Sequence, residues 1–345
     1  MNDQRLLPVL LLATGLSWLL TGAVRRLAIR ADLLDHPNAR SSHSTPTPRG
    51  GGVAIVASFV AATIGLTVAG HVPIDMCVAV CGAGLLVAGL GFLDDRRPLP
   101  ARWRFAGHAI AAAWVLVWIG PLPPVPLLGT VVDLGVGALA LSALFLVWSI
   151  NLFNFMDGID GIAGVEAVTV ALAGALVWWL NAPGAAWPLA LLFAACVAGF
   201  LIWNFPPAKI FMGDAGSGFL GLVVATLALW SGRDEAHLFW AWFILIGCFM
   251  VDATTTLVRR VRRGERFNEA HRSHAYQYAA RRHGSHRAVT LACGLINLVW
   301  LLPLALLVAM RKLDGVAGVI LAYAPLVWLA FHYKAGARAD QGSLS

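Results

Sequence analysis

The stretch MCVAVCGAGLLVAGLGFLDDRR, residues 76–97, contains eighteen consecutive uncharged residues before it ends in two aspartates and two arginines. A helix needs about 20 mostly apolar residues to cross the hydrocarbon core of a bilayer. We therefore predict a membrane-spanning helix at residues 76–93, with Asp94 and Asp95 at its polar end. This stretch is decisive for the fold class, because ten further stretches of the chain have the same character.

The whole chain has the composition of a membrane protein. Of its 345 residues, 59% are hydrophobic and 12% are charged, and the mean hydropathy is +0.75. Soluble domains are about 45–50% apolar and about 25% charged. The composition therefore excludes a soluble enzyme, a disordered protein and a nucleic-acid-binding protein, despite a net charge of +7.

We predict an all-α, polytopic integral membrane protein with about 11 transmembrane helices, in a single membrane domain of residues 1–345. The predicted spans are residues 6–24, 52–70, 76–93, 106–120, 134–151, 162–180, 187–204, 217–231, 237–258, 288–308 and 315–332.

Lys and Arg are distributed unevenly between the two sides of these spans. Of the 25 Lys and Arg residues, 21 fall on one side, and such an excess marks the cytoplasmic side of a membrane protein. We therefore predict an N-terminus outside and a C-terminus in the cytoplasm. The predicted cytoplasmic active-site loops are residues 30–51, 94–105, 152–161, 205–216 and 259–287.

Carboxylates gather at the cytoplasmic ends of the predicted spans. Asp94 and Asp95 end one span, and Asp252 lies about two turns inside another. A carboxylate at membrane depth costs about 2.5–3.5 kcal/mol on insertion scales, so such residues usually have a partner or a function. Because neighbouring helical residues diverge by about 100°, we expect Asp94 and Asp95 to have different roles. The alternative is an acidic loop paired with Arg96 and Arg97.

The segment NLFNFMDGIDG, residues 151–161, places a polar residue at every third position. Asn151, Asn154, Asp157 and Asp160 would therefore drift slowly along one helix face. The glycines of this segment allow the backbone to approach a ligand closely. A simple turn joining two spans, with an aspartate as helix cap, is the alternative.

A glycine-rich segment, FMGDAGSG at residues 211–218, precedes the eighth predicted span. A helix N-terminus offers free N–H groups and a positive dipole end, so a phosphate or a metal-bound phosphate is a natural ligand beside Asp214. Phe211 could stack on a base. A flexible loop in which Asp214 only caps the helix is the alternative.

Two further loops carry basic residues. The first, at residues 36–52, contains cations, hydroxyls and a glycine triplet, although such clusters mostly mark ordinary loops. The second contains His271, Arg272 and His274, a set suited to binding a diphosphate. For the nearby run Arg259–Arg263 we favour positive-inside topology together with contact with lipid headgroups.

No zinc site is expected from the sequence. The five cysteines lie in apolar stretches without a Cys-x-x-Cys pair, and we interpret them as small core residues. Neither His271 nor His274 is followed by a Cys or carboxylate at zinc-ligand spacing.

Taken in order, these motifs resemble the polyprenyl-phosphate N-acetylhexosamine-1-phosphate transferases, a membrane family that includes the phospho-N-acetylmuramoyl-pentapeptide translocase. Four motifs appear with family-like order and spacing, and the eleven-span arrangement resembles the branch that initiates O-antigen or common-antigen glycans. The motifs are residues 35–52, Asp94-Asp95, residues 154–161 and residues 211–218. The histidine motif departs from the adjacent-histidine form of many members and resembles the variant of O-antigen enzymes, which leaves the sugar open.

The resemblance implies transfer of an N-acetylhexosamine-1-phosphate from a UDP-sugar to undecaprenyl phosphate, with release of UMP, at a bacterial inner membrane. It implies Mg²⁺ or Mn²⁺ as cofactor, with Asp214 and Asn154 as metal ligands. Asp94 or Asp95 would position the acceptor phosphate or take its proton, and Asp157 and Asp160 complete the catalytic set. The substrate-binding residues would be Asn151, Asn154, Phe211, Lys209, His271, Arg272 and His274, with Arg40, His43 and Arg49 as candidates for a basic residue in the first loop.

Several alternatives stay open at this point. A phosphate monoester is mostly dianionic at neutral pH, so we favour direct attack over a covalent aspartyl-phosphate. A secondary transporter of a nucleotide-sugar or cation is the other function class, although transporters place ionisable groups near the bilayer midplane and most acids here lie at one face. A homodimer is left open as a partner state beside the lipid bilayer.

Overall fold

The computed structural model describes residues 3–37, 45–183, 186–265 and 271–337. Over these ranges the chain forms fourteen α-helices, one π-helical turn at Asn297–Leu301 and two very small sheets. The helices are α1 (Asp3–Arg30), α2 (Gly52–Val68), α3 (Ile74–Arg96), α4 (Ala101–Ile119), α5 (Val136–Met156), α6 (Ile162–Asn181), α7 (Pro188–Asn204), α8 (Asp214–Asp234), α9 (Ala236–Leu245), α10 (Gly247–Arg262), α11 (Ala275–His283), α12 (His286–Ile296), α13 (Leu302–Ala309) and α14 (Gly315–His332).

Each of the eleven predicted spans coincides with a helix or a run of helices. By length and composition, seven helices of the described chain can cross a membrane, or eight if the bent pair α9 and α10 counts as one. The apolar helices α2 and α7 have only 17 residues each. At 1.5 Å per residue they cover about 25 Å, less than the ~30 Å hydrocarbon core. The prediction of an all-helical, polytopic membrane protein is confirmed, and the count of eleven crossings stays a prediction.

Two predicted spans are interrupted. The span predicted at residues 237–258 is two helices, α9 and α10, with a bend of 67° between them. The span predicted at residues 288–308 contains the π-helical turn, which begins at the buried Asn297. The Asn297 side chain donates hydrogen bonds to Glu166 Oε2 at 2.7 Å and to Thr169 Oγ1 at 2.8 Å. The π-helical turn thus places the Asn297 amide against two polar side chains of α6.

Helix α8 forms the centre of the bundle. All residues of its most apolar 18-residue window are buried, and it packs against α3 and α5. Glycines permit this packing, because a Cβ at Gly216 would clash with Gly52 and a Cβ at Gly221 would clash with Ser149. Small residues at such contacts let helix backbones approach closely in membranes. The N-terminus of α8, which begins with Asp214, is thereby held between α2 and α3.

The first small sheet orders the connection between α1 and α2. Strand β1 (Leu34–Asp35) pairs antiparallel with β2 (Thr47–Pro48), and the backbone N–H of Arg49 donates to the carbonyl of Leu33 at 3.2 Å. The second sheet, β3 (Val125–Leu127) with β4 (Thr130–Val132), lies at the other end of the bundle. Both sheets fall in connections between predicted spans, where the sequence predicts loops.

Candidate active site

A cavity of about 440 Å³ opens among α3, α4, α5, α8, α10 and the segment before α11. One part of its wall is apolar and includes Leu90, Phe105 and Trp148. The polar part contains residues that four separate motifs contribute. The predicted site residues that line the cavity are Asp94, Asn151, Asn154, Asp214, His271 and His274.

Asp95 binds the N-terminus of α8. Its Oδ1 accepts a hydrogen bond from the backbone N–H of Asp214 at 3.0 Å, and its Oδ2 accepts one from Ala215 at 3.4 Å. A carboxylate in this position satisfies free N–H groups and complements the helix dipole. Gly213 has a φ of 76°, and a Cβ there would lie 2.6 Å from Asp95 Oδ2. The glycine before Asp214 is therefore required by the approach of Asp95.

Arg49 joins the same two acids. Its Nη2 lies 2.8 Å from Asp95 Oδ1 and 2.8 Å from Asp214 Oδ1. Burial lowers the pKa of Arg49, but the carboxylates of Asp95 and Asp214 more than compensate, so that the pKa is raised overall. Of the three first-loop candidates, the structure thus places Arg49 beside Asp214. Arg40 and His43 lie outside the described residues.

Asp94 has different partners from its neighbour, as the 100° divergence of adjacent helical residues predicts. Its Oδ1 accepts from the backbone N–H of Leu99 at 2.6 Å, and its Oδ2 accepts from Arg104 Nη1 at 3.0 Å. Neither Arg96 nor Arg97 forms an ion pair with it among the described residues. Arg104, in the first turn of α4, also lines the cavity. The sequence offered no signal that singled out Arg104 from the other arginines of this loop.

Asn151 and Asn154 lie one turn apart near the end of α5. Asn154 Nδ2 donates to Ser217 Oγ of α8 at 3.1 Å, and Asn151 Nδ2 lies 3.2 Å from His108 Nδ1 of α4. Asp157 follows at the end of the same helix. Burial raises the pKa of Asp157 to about 7, and the nearby charge of Asp214 adds to the increase. The predicted polar face of residues 151–157 is therefore directed towards α4 and α8.

Asp160 contacts a neighbouring loop. Its Oδ2 accepts a hydrogen bond from the backbone N–H of Ala208 at 3.0 Å, and its Oδ1 lies 3.4 Å from His286 Nδ1. Asn204, which sequence reasoning missed, supports the same loop because its side chain bonds both Gly161 N–H and the Ile210 carbonyl. Asp160 thus positions residues 205–210, and it is not among the described residues that line the cavity.

Helix α10 holds the histidine segment, residues 271–274, at the cavity wall. Asp252 accepts from the backbone N–H groups of Ala275 and Tyr276, both at 2.9 Å, and lies 3.3 Å from His274 Nδ1. Asp252 is the buried acid that the sequence placed inside a span but did not assign to the site. Its role here is to hold the N-terminus of α11.

The His271 and His274 rings lie together at the cavity. Their centroids are 5.0 Å apart. Burial lowers the pKa of His271 to about 3, and the neighbouring His274 contributes to the decrease. His271 is therefore neutral at physiological pH and can accept as well as donate a hydrogen bond.

Besides Arg49, three predicted binding residues lie outside the cavity wall among the described residues. Lys209 is exposed, with its Nζ 5.8 Å from the centre of the Trp203 ring. The backbone of Phe211 pairs with Pro48 and Gly51. The carbonyl of Arg272 accepts from Arg281 Nη2 at 3.3 Å.

The C-terminal segment holds the histidine segment from the opposite side. The backbone N–H of Gly336 donates to the Ser273 carbonyl at 2.6 Å, and Ser273 Oγ lies 3.0 Å from His271 Nδ1. Gly336 has a φ of 69°, and a Cβ there would lie 2.9 Å from the Thr256 carbonyl oxygen. Residue 336 therefore has space for glycine only.

We expect Gly336→Ala to lower turnover about 10-fold, because a displaced Ser273 misplaces His271 by a fraction of an ångström, and such errors are costly. Gly284→Ala is the matched control, since Gly284 also has a positive φ of 60° but has no atom near its Cβ position. Turnover and thermal midpoint of the two variants should be measured together. Equal losses of turnover in both variants would show that backbone strain alone is responsible.

A separate polar group lies within the bundle. Glu166, Cys248 and Cys293 are the one set of three His, Cys, Asp or Glu ligands within 4.8 Å of one another among the described residues. Glu166 Oε2 accepts hydrogen bonds from Asn297 Nδ2 at 2.7 Å and from Cys293 Sγ at 3.3 Å. The acids of the cavity therefore form no preassembled three-carboxylate cage in the described chain.

Membrane-length helices around a cavity with carboxylates, amides and histidines define an integral membrane protein that handles charged ligands at one end of its bundle. The sequence profile of glycosyl transferase family 4 matches residues 76–232. The chain is 32% identical over 320 residues to the decaprenyl-phosphate N-acetylglucosaminephosphotransferase of Mycobacterium tuberculosis, covering 81% of this chain and 77% of the relative. The chain belongs to glycosyl transferase family 4, and the resemblance noted from the motifs is confirmed.

Two further relatives show the same relationship. The probable undecaprenyl-phosphate N-acetylglucosaminyl 1-phosphate transferase of Bacillus subtilis is 31% identical over 294 residues, which cover 82% of this chain and 79% of the relative. The undecaprenyl-phosphate alpha-N-acetylglucosaminyl 1-phosphate transferase of Salmonella typhimurium is 31% identical over 255 residues, covering 70% of this chain and 67% of the relative.

Proposed function

We propose that this protein transfers an N-acetylhexosamine-1-phosphate from a UDP-sugar to a polyprenyl phosphate in a bacterial membrane, and that UMP is released. The observation that carries the proposal is the cavity, which joins Asp94, Asp214 and the two histidines to an apolar wall. The names of the bacterial relatives support the acceptor and the sugar phosphate. N-acetylglucosamine is the first sugar to test.

We further propose that the chain crosses the membrane eleven times, with the site on the cytoplasmic face. The excess of Lys and Arg on that side supports this orientation. A nucleotide-sugar donor is soluble, whereas the acceptor is confined to the bilayer. A cavity at the end of the bundle is accessible to both.

Mg²⁺ fits the residues of the cavity. The Asp94 and Asp214 carboxylates both line it and are close enough to interact. Asn154 uses its Nδ2 on Ser217, which leaves Oδ1 for a cation. Mg²⁺ is usually held by one or two carboxylates together with waters and substrate phosphates, so no three-carboxylate cage is needed. Asp214 and Asn154 would hold the ion, which when bound would neutralise charge on the diphosphate.

The remaining residues position two anions. Arg49, held between Asp95 and Asp214, keeps a fixed positive charge next to the cavity. His271, which is neutral, and His274 can donate hydrogen bonds to phosphate oxygens. Asp94 with Arg104 lies where an acceptor phosphate would approach from the apolar wall. Phosphoryl transfer depends mainly on alignment and charge stabilisation. Direct attack by the dianionic acceptor phosphate therefore needs no strong base.

The decisive experiment combines purified protein with undecaprenyl phosphate, Mg²⁺ and a panel of UDP-N-acetylhexosamines, and measures UMP release. We expect release with at least one donor, only when the acceptor is present, and its loss after EDTA with recovery on adding Mg²⁺. UMP release without acceptor, or equal release in EDTA, would contradict the proposed transfer or the proposed metal. Uptake of intact nucleotide-sugar into proteoliposomes would favour the transporter instead.

A further inference from the structure

Two cations lie next to one tryptophan ring at the periphery of the helix bundle, beside α1 and α7. The Cζ of Arg25 is 6.0 Å from the centre of the Trp203 ring, and Lys209 Nζ is 5.8 Å from it. The Trp18 ring stacks on Trp203 with centroids 6.2 Å apart. We call Trp18, Arg25, Trp203 and Lys209 the Trp203 cluster. It is separate from the cavity described above.

The cluster is held in place by backbone contacts. Trp203 Nε1 donates to the Trp18 carbonyl at 3.1 Å, and Arg25 Nε donates to the Lys209 carbonyl at 3.1 Å. A Cβ at Gly22 would lie 3.1 Å from the Trp203 ring, so the indole packs directly on the α1 backbone. The Arg25 side chain and the Lys209 backbone are therefore held in place before any ligand arrives.

The charges of the cluster are not balanced within the described chain. The ion pairs found among residues 3–37, 45–183, 186–265 and 271–337 include neither Arg25 nor Lys209. Cation–π contact with Trp203 attracts each cation but supplies no net negative charge to balance it. An anion between them would be attracted by both.

The surroundings of the cluster point to a lipid as the source of that anion. Helix α1 lies at the edge of the bundle, and only 17% of its most apolar window is buried. Trp18 and Leu11, which are 41% and 63% exposed, lie on the same face of α1 as Arg25, within about 40° of it, and towards the predicted span. An anion that reaches Arg25 and Lys209 thus has an apolar surface beside it, as a phospholipid headgroup with its acyl chains requires.

We propose that the Trp203 cluster binds the phosphodiester of an anionic phospholipid. Arg25 and Lys209 contact the phosphate, Trp203 and Trp18 provide the interfacial aromatic surface, and the acyl chains lie along Leu11 towards the N-terminus of α1. Basic pockets between transmembrane helices are known to hold anionic headgroups in this way. Lys209, which the sequence assigned to substrate binding, then has a lipid ligand.

The site is connected to the loop that precedes Asp214. Lys209 follows Ala208, whose backbone N–H donates to Asp160 at 3.0 Å. The backbone N–H of Lys209 donates to the Trp203 carbonyl at 2.8 Å. A bound headgroup would therefore hold residues 203–209 in the position that the structure shows.

The test is retention of lipid by the full chain. The protein is reconstituted in nanodiscs of equal phosphatidylglycerol and phosphatidylcholine, extracted in mild detergent, and its retained lipids are counted by native mass spectrometry. We expect the double variant Arg25→Gln/Lys209→Gln to lose about 10- to 30-fold in preference for phosphatidylglycerol, because it removes both charge-assisted hydrogen bonds to the phosphate.

The matched control is Arg26→Gln/Arg30→Gln, which removes two exposed charges from the same end of α1. It should retain phosphatidylglycerol within about 2-fold of the parent, since membrane attraction of exposed charges is weak and screened. Arg25→Lys/Lys209→Arg should retain the lipid, which excludes a folding defect as the cause of any loss. Unchanged retention in the first variant, or equal losses in both double-Gln variants, would overturn the site.

Two competitors distinguish the sources of the phosphate. Inorganic phosphate at millimolar concentration should not displace the bound phosphatidylglycerol, and neither should stoichiometric undecaprenyl phosphate. Displacement by phosphate would mean a general anion site, and displacement by the polyprenyl phosphate would assign the cluster to the acceptor. Either result overturns the proposal.

Discussion

Asp214→Asn is expected to reduce turnover by at least about 10³-fold while the protein stays folded, which is a loss typical of removing one essential charge from a polar site. Asp214 begins α8, lines the cavity and pairs with Arg49 at 2.8 Å. The amide has the same shape but no charge, so it neither balances Arg49 nor serves as a strong ligand for a hard cation. The measurements are UMP release over a range of Mg²⁺ concentrations and the thermal midpoint in detergent.

The other end of the same helix supplies the control. Asp234 ends α8, and its Oδ2 accepts a hydrogen bond from Trp178 Nε1 at 2.9 Å, far along the helix from the cavity. Asp234→Asn should leave turnover within about 2-fold, because exposed or partly exposed surface charges contribute little. If Asp214→Asn kept more than a tenth of the parent activity, Asp214 would not be a ligand of the proposed metal.

The helical bundle was predictable because the bilayer imposes one length on every crossing segment. Where the chain departs from that rule, the sequence signal fails. The 67° bend between α9 and α10 falls in an apolar stretch without a proline, so hydropathy could not reveal it. The π-helical turn at Asn297 depends on contacts with Glu166 and Thr169, which are about 130 residues away.

The sequence indicates polar residues that the structure gathers around one cavity, but it does not assign a role to each of them. Asp94 and Asp214 are carboxylates at span ends, where such groups seldom lack a partner or a function, and Asn154 belongs to a motif with a polar residue at every third position. All three line the cavity. Asp160 belongs to the same motif, yet it bonds the 205–210 loop. Spacing along a helix predicts which residues share a face. It does not predict whether a ligand or a backbone N–H meets that face.

Asp94 and Asp95 provide the sharpest test of this distinction, because the two adjacent acids should fail in different ways. We expect Asp94→Asn to reduce turnover about 100-fold with little change in thermal midpoint. Its amide oxygen can still accept from Leu99, and Arg104, whose side chain is 37% exposed, can turn away from the new NH₂ group.

Asp95→Asn should reduce both turnover and stability, since both carboxylate oxygens already accept from fixed donors. Oδ1 receives Asp214 N–H and Arg49 Nη2, and Oδ2 receives Ala215 N–H. An NH₂ group in either position faces a donor, and losing hydrogen bonds to a charged group costs about 1.5–3 kcal/mol. Turnover by UMP release and thermal midpoints should be compared for the two variants. If Asp95→Asn kept the parent midpoint and lost only turnover, Asp95 would act on substrate directly, and the end of α8 would be held by other contacts.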